Sequence, residues 1–275
     1  MSTADGAASL SAWQLGAIFR WIGWCGLILT GMTAVLGDFL ARAPANAQGN
    51  GIPLSPPSPA FPFGTDDLGR DVYGEVIHAV GVTFGHAASA TFITVVFGSL
   101  LGFAAARAPR GVGIFVRFAV RISESLPPLL IAILLVGLTT KAMAPVAAGI
   151  AAAPFAFARA YGRVRRTDHS AHTDFAIVTG ISPAALLRRD LSYEFRDNFV
   201  EAVARAIAAV TITLSTASFL GFGAEPPHRD LGLMIGAARP LLFQAWWAAA
   251  FPALALTIII LFARLAAGLE EGERP

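Results

Sequence analysis

Lysine is almost missing from this chain: Lys141 is the only one, and every other basic residue is an arginine. Lys141 follows Thr140 outside any Gly-x-x-x-x-Gly-Lys-Ser/Thr run, so the chain has no Walker-type loop for nucleotide phosphates. Cysteine is equally scarce. Cys25 stands alone, which excludes an intrachain disulfide and a cysteine-based metal cluster and leaves the expectation of a small buried apolar residue. Gly-x-Ser-x-Gly and His-Glu-x-x-His patterns are both lacking, and the acidic residues fall mostly in loops, so nothing supports a membrane enzyme. Charge itself is thin. Asp, Glu, Lys and Arg make up 14% of the residues, against about 25% in soluble domains.

Apolar side chains fill the gap: 55% of the 275 residues are hydrophobic, and the mean hydropathy is +0.63. They come in blocks near the 20 residues that a helix needs to cross about 30 Å of hydrocarbon. The reading is an all-α membrane protein with six spans, at about Ala17 to Gly37, Val82 to Ala106, Ile114 to Leu138, Pro145 to Tyr161, Val200 to Leu220 and Trp246 to Phe262. Arginines mark alternate connections: Arg107 and Arg110; Arg163, Arg165, Arg166, Arg188 and Arg189; then Arg264. The positive-inside rule makes these connections cytoplasmic, together with both termini, and the spread of arginine over short loops fits orientation rather than nucleic-acid binding. The expected division is a cytoplasmic tail (1–16), a first span (17–37), a periplasmic loop (38–81), a five-helix core (82–268) containing a cytoplasmic loop (162–198), and a second cytoplasmic tail (269–275). Ala45-Asn46-Ala47 has the spacing of a signal-peptidase site, but Asp5 and a single arginine, Arg20, precede an apolar core that is long for a signal, so the first helix is expected to be retained. The stretch from Ala43 to Pro62, rich in Pro, Ala, Ser and Asn, reads as irregular.

Ahead of the second span stands Phe63-Gly64-Thr65-Asp66-Asp67-Leu68-Gly69-Arg70-Asp71. Its glycines permit tight turns, and its mixed charges can cross-link a loop through charge-assisted hydrogen bonds. Its wording resembles the signature that precedes the second core helix in the C-type inner-membrane permease subunits of dipeptide, oligopeptide and nickel ABC importers. The likeness continues through Ser218-Phe219-Leu220-Gly221-Phe222-Gly223, Pro226-Pro227, Gly232, Met234, Ala245-Trp246-Trp247 and Phe251-Pro252, and covers about Phe61 to Gly268. Gly221 and Gly223 are expected to end the fifth span, Pro226 and Pro227 to stop its continuation, and Trp246 with Trp247 to anchor the sixth at the membrane interface. The resemblance implies a type I ABC importer permease fold (MetI-like).

Between the fourth and fifth spans, Ser182 followed by Pro183 reads as a helix N-cap with proline at the first turn, opening a short helix to about Asp190. Leu186 and Leu187 beside Arg188 give it a docking face. The family resemblance places here the loop that couples the permease to its ATPase. The family pattern falls on Asp174, Ala176 and Gly180; Phe175 departs from it, and Ser192-Tyr193 stands where a proline is expected. A second reading keeps this helix on the membrane surface with its basic residues on lipid phosphates. Glu201 and Arg205, four apart, are expected to pair.

Arg117, Arg121 and Glu124 fall inside the third span, where ionisable groups are costly and face protein or water. Arg121 and Glu124, three apart, form a structural pair or line and gate a translocation path, with Pro127 and Pro128 as a kink or hinge. The five histidines, His78, His86, His169, His172 and His228, lack the partner set that a metal site requires.

The resemblance implies a permease subunit forming half of a pathway for peptides or a related small solute. No cofactor is expected in the chain itself. ATP and magnesium belong to two ATP-binding partners, alongside a second permease in a heterodimer, a periplasmic or lipid-anchored substrate-binding protein, and membrane lipid, with no nucleic acid. Small residues in the second and fifth spans are expected to meet the second permease. The competing reading, a stand-alone ion-coupled carrier or channel, predicts intramembrane acids and an inverted repeat; Glu124 alone lies deep in a span, and no convincing repeat is visible.

Overall fold

The computed structural model describes residues 12–41, 51–108, 110–168, 199–224 and 228–268, with Ser182, Ala185 and Arg188. The described residues form helices and connecting turns, with no strand among them beyond one isolated bridge between Thr65 and Asp71. Nine α-helices are described: α1 (Ala12–Val35), α2 (Gly37–Leu40), α3 (Val72–Arg107), α4 (Arg110–Ser125), α5 (Pro128–Leu138), α6 (Ala144–Asp168), α7 (Phe199–Ala217), α8 (Leu231–Ala238) and α9 (Trp247–Ala267). Five stretches are long and apolar enough to span a bilayer, and α4 with α5 makes a sixth if that bent pair counts as one.

α3, α6 and α9 begin on the face that carries the Phe63–Asp71 motif, and α1 and α7 end there. α3 and α6 form the central seam, running parallel at close range. A Cβ on Gly98 would lie 2.6 Å from the Ala153 carbonyl, and Thr94 Oγ1 donates to the Gly149 carbonyl at 3.0 Å. Ala87, Ala90, Ala147, Ala148, Val210 and Leu214 close the core between α3, α6 and α7. The small residues expected to meet a second permease are thus largely spent inside this chain. α1 lies against α9, and Leu27, Ala263 and Ala266 are buried there with Ala204 and Ala208 of α7.

Several boundaries differ from the sequence expectation. The second span starts at Val72, ten residues before Val82, because Asp71 caps the helix by accepting from Tyr73 N at 3.1 Å, and Val72, Val76, Ala79 and Val80 are buried. The third span is broken: its halves meet at 96° around Leu126-Pro127. Two consecutive prolines remove two amide donors and their rings clash with the preceding turn, which ends α4 and starts α5 with Pro128 in its first turn. Cys25 is exposed on the outer side of α1 rather than buried, since α1 turns Gly23, Gly26 and Leu27 toward α9.

Candidate functional site

The motif folds into a compact platform on the N-terminal ends of α3 and α9. Gly64 (φ +72°) and Gly69 (φ +70°) take the left-handed backbone that favours glycine. Thr65 is fully buried, and its hydroxyl both donates to the Ile52 carbonyl at 2.7 Å and accepts from Ser55 N at 2.8 Å, stitching the preceding segment to the motif. The Thr65 carbonyl accepts from the Trp247 indole at 3.1 Å. Trp247 is therefore a buried strut, not an interfacial anchor; Trp246 is the exposed member of the pair. The Phe63 ring stacks on Phe251 at 4.0 Å and meets Tyr73 edge-on at 5.2 Å.

Asp66 is the electrostatic centre of the platform. One carboxylate oxygen accepts from the Leu68 and Arg70 amides, each at 2.9 Å. The other faces the Arg70 guanidinium at 2.6 Å and Arg229 at 3.7 Å. Arg229 also reaches Glu75 on α3 at 3.4 Å. Two acids and two arginines thus balance one another in a low-exposure site, as buried charge requires. They line a cleft of about 100 Å³ that Met234 and Leu241 close from the α8 side. Asp67 and Leu68 point outward, Leu68 at 61% exposure, so the motif presents these two residues while the rest of it is turned inward or half-buried.

The segment after α7 completes this face. α7 ends in a π turn over Ser218–Phe222, where Gly221 adopts φ +91°. Asp230 caps α8 by accepting from Leu233 N at 2.9 Å; it also accepts from Ala224 N at 3.1 Å and from the Ser218 hydroxyl. Leu231 N donates to Thr83 Oγ1 on α3 at 3.0 Å. Gly232 rests on the Ser215 backbone so closely that no Cβ fits there. Sequence reasoning missed Thr83, Arg229 and Asp230. The available signal for Asp230 was an aspartate directly before an apolar run.

At the opposite face, Glu201 pairs with Arg205 at 3.3 Å, as the spacing predicts, and also with Arg20 of α1 at 3.1 Å. Of the loop residues, Asp174, Ala176, Gly180, Pro183, Leu186 and Leu187 lie outside the described residues. The Ser182 hydroxyl and carbonyl both accept from Ala185 N, at 3.2 and 3.0 Å, which is N-cap geometry, and Ala185 and Arg188 are helical. Arg121 and Glu124 make no ion pair with each other: Arg121 is exposed and Glu124 half-buried on α4, so the expected structural pair does not form. Arg117 instead donates to the Tyr161 hydroxyl and lies 5.3 Å from that ring's centre. His86 on α3 lies within electrostatic range of Asp230 and His228. Among the described residues, no group of three or more His, Cys, Asp or Glu is placed to hold a metal ion.

The chain is 32% identical over 246 residues to the peptide transport system permease protein SapC of Haemophilus influenzae, covering 86% of this chain and 82% of that protein. This chain belongs to the family of peptide transport system permease proteins. Further relatives are the di/tripeptide transport system permease protein DppC of Pseudomonas aeruginosa, 26% identical over 86% of this chain and 80% of that protein, and the dipeptide permease DppC of Haemophilus influenzae, 23% identical over 92% and 89%. No family model matches the chain. The permease is a multi-pass, all-α membrane protein of the ABC transporter class.

Proposed function

We propose that this permease forms half of the translocation path of an ABC importer for peptides or a closely related solute, in the inner membrane with both termini cytoplasmic. The observation that carries this reading is the platform: a membrane-embedded chain devotes a balanced charge network and a buried Trp247 strut to holding the Phe63–Asp71 segment rigid outside the bilayer. A rigid outer surface suits the reception of cargo from a substrate-binding protein, with Asp67 and Leu68 as its outward contacts. At the other face, Asp174, Ala176, Gly180 and the helix opened by Ser182 and Pro183, with Leu186, Leu187 and Arg188, seat in a cleft of the partner ATPase. ATP binding and hydrolysis in two such partners, with magnesium, drive alternating access between this permease and a second one. Pro127, at the α4–α5 break, is the point about which α5 moves relative to α4.

The test is affinity purification of the tagged chain in mild detergent, followed by ATPase and dipeptide-uptake assays of the reconstituted complex. Recovery of a second permease and an ATPase, with hydrolysis uncoupled by the triple change Leu186→Ala, Leu187→Ala, Arg188→Ala, supports the reading. A chain that purifies alone and moves solute without ATP replaces it with an ion-coupled carrier.

A further inference from the structure

α4 has two unlike faces. Val112, Phe115, Phe118 and Ile122 recur at intervals of three and four along one side, and all four are exposed, Phe115 at 72%. Arg117, Arg121 and Glu124 recur on the other. A helix with this split and a row of arginines fits neither the apolar interior of a bilayer nor water on all sides; it fits the boundary between them.

Its position in the fold agrees. Gly113 lies against the Ala105 carbonyl, two residues before α3 ends at Arg107. Arg117 reaches Tyr161, one residue before the apolar span through α6 ends at Gly162. Both neighbours lie at the ends of apolar stretches, on the side away from the motif. The 96° break then turns α4 away from the direction of α5, across the bundle rather than along it.

We infer that α4 lies along the surface of the leaflet opposite the motif, with Val112, Phe115, Phe118 and Ile122 among lipid acyl chains and Arg121 on the phosphate of an anionic lipid. Arg117 fixes the roll of the helix by holding its polar side to Tyr161, which leaves the apolar stripe turned outward. The charge matches this occupant: Arg117 and Arg121 outnumber Glu124, and Arg107 and Arg110 bracket the entry to the helix in sequence. Arg121 is thereby removed from the translocation path, and the cost of burying charge at membrane depth disappears. The inference needs only that the chain is embedded in a membrane; it is independent of the ATPase partners.

The experiment is site-directed spin labelling in a Cys25→Ala background, with one cysteine at a time at positions 112, 115, 118 and 122. The permease and its co-purifying subunits are reconstituted in vesicles of phosphatidylglycerol and phosphatidylcholine, and nitroxide depth is read from collisions with oxygen and with a water-soluble nickel chelate. The expected result is four labels in lipid whose depths differ by less than about half the 15 Å that ten residues would traverse in a helix crossing the bilayer at 1.5 Å per residue. A steady change of about 15 Å from 112 to 122 makes α4 a spanning helix and overturns the inference. Exclusion of both relaxants overturns it in favour of burial against another subunit, and access to the chelate at all four positions places the helix off the membrane. Separately, Arg121→Gln is expected to lower at least twofold the phosphatidylglycerol that co-purifies with the complex, counted by mass spectrometry; an unchanged count removes the phosphate contact.

Discussion

Asp66 and Asp67 are adjacent and chemically alike, yet the fold gives them opposite weights. Asp66 faces two arginines and two amides at low exposure, so Asp66→Ala strands guanidinium charge and is expected to destabilise the permease by about 3 kcal/mol. Asp67→Ala is expected to stay within about 0.5 kcal/mol, since its side chain points into solvent. Thermal unfolding of the detergent-solubilised variants separates the two; equal shifts would mean that the Asp66 network contributes nothing. Trp247→Phe keeps an aromatic ring at the buried position but loses part of the indole's volume and leaves the Thr65 carbonyl without its donor, an expected loss of at least about 1–3 kcal/mol in the same assay. The sequence made the motif's turns legible, because Gly64 and Gly69 declare them. It could not show which aspartate is buried: the short contacts of Asp66 are with Leu68 and Arg70 nearby, but the cover over the site comes from Arg229, Met234 and Leu241, more than 150 positions away in the chain. Trp247 misled for a related reason. A tryptophan at the end of an apolar run suits a membrane interface, and the carbonyl that captures its N–H belongs to a loop 182 residues earlier.

At the scale of elements, apolar length alone exposed five of the spans, and the positions where reading failed are those where polar contacts set the boundary. The first turns of α3 hold Tyr73, Glu75 and His78, which hydropathy counts as loop, although Asp71 caps them and α9 shelters them. Pro127 and Pro128 announced a bend but not its size, because two missing amide donors break a helix without fixing the direction in which the chain continues. Replacing both prolines by alanine restores two amide donors and permits one continuous helix. Spin labels at positions 115 and 136 are then expected to move apart from roughly 22 Å to roughly 31 Å, and an unchanged separation would assign the bend to tertiary contacts instead. Ser182→Ala removes the hydroxyl that accepts from Ala185 N, an expected loss of about 1 kcal/mol to that short helix. If the helix seats in an ATPase, the variant shows reduced peptide-stimulated hydrolysis with unchanged complex assembly.

For the whole molecule, the parallel seam of α3 and α6 is the stable heart, since it joins close backbone approach to the alanine-rich core. Hydrogen exchange in detergent is expected to be slowest in the second half of α3 and the middle of α6, with α4 and the ends of α1 opening first. Faster exchange at the seam than in α1 would show that stability comes from elsewhere, such as a second subunit.

α3 is 36 residues long, a rod of about 54 Å, nearly twice the hydrocarbon thickness it has to cross. Its first turns are bolted through Asp71, Glu75 and Thr83 to the motif, the Arg229 loop and α8, and its far end meets α4 and α6. A lever of that length magnifies small angles: a tilt of about 10° at one end carries the other through roughly 9 Å. The platform carrying Asp67 and Leu68 is therefore joined by a single rod to the ends of α4 and α6 at the opposite face, so a tilt of α3 there displaces the platform as a unit.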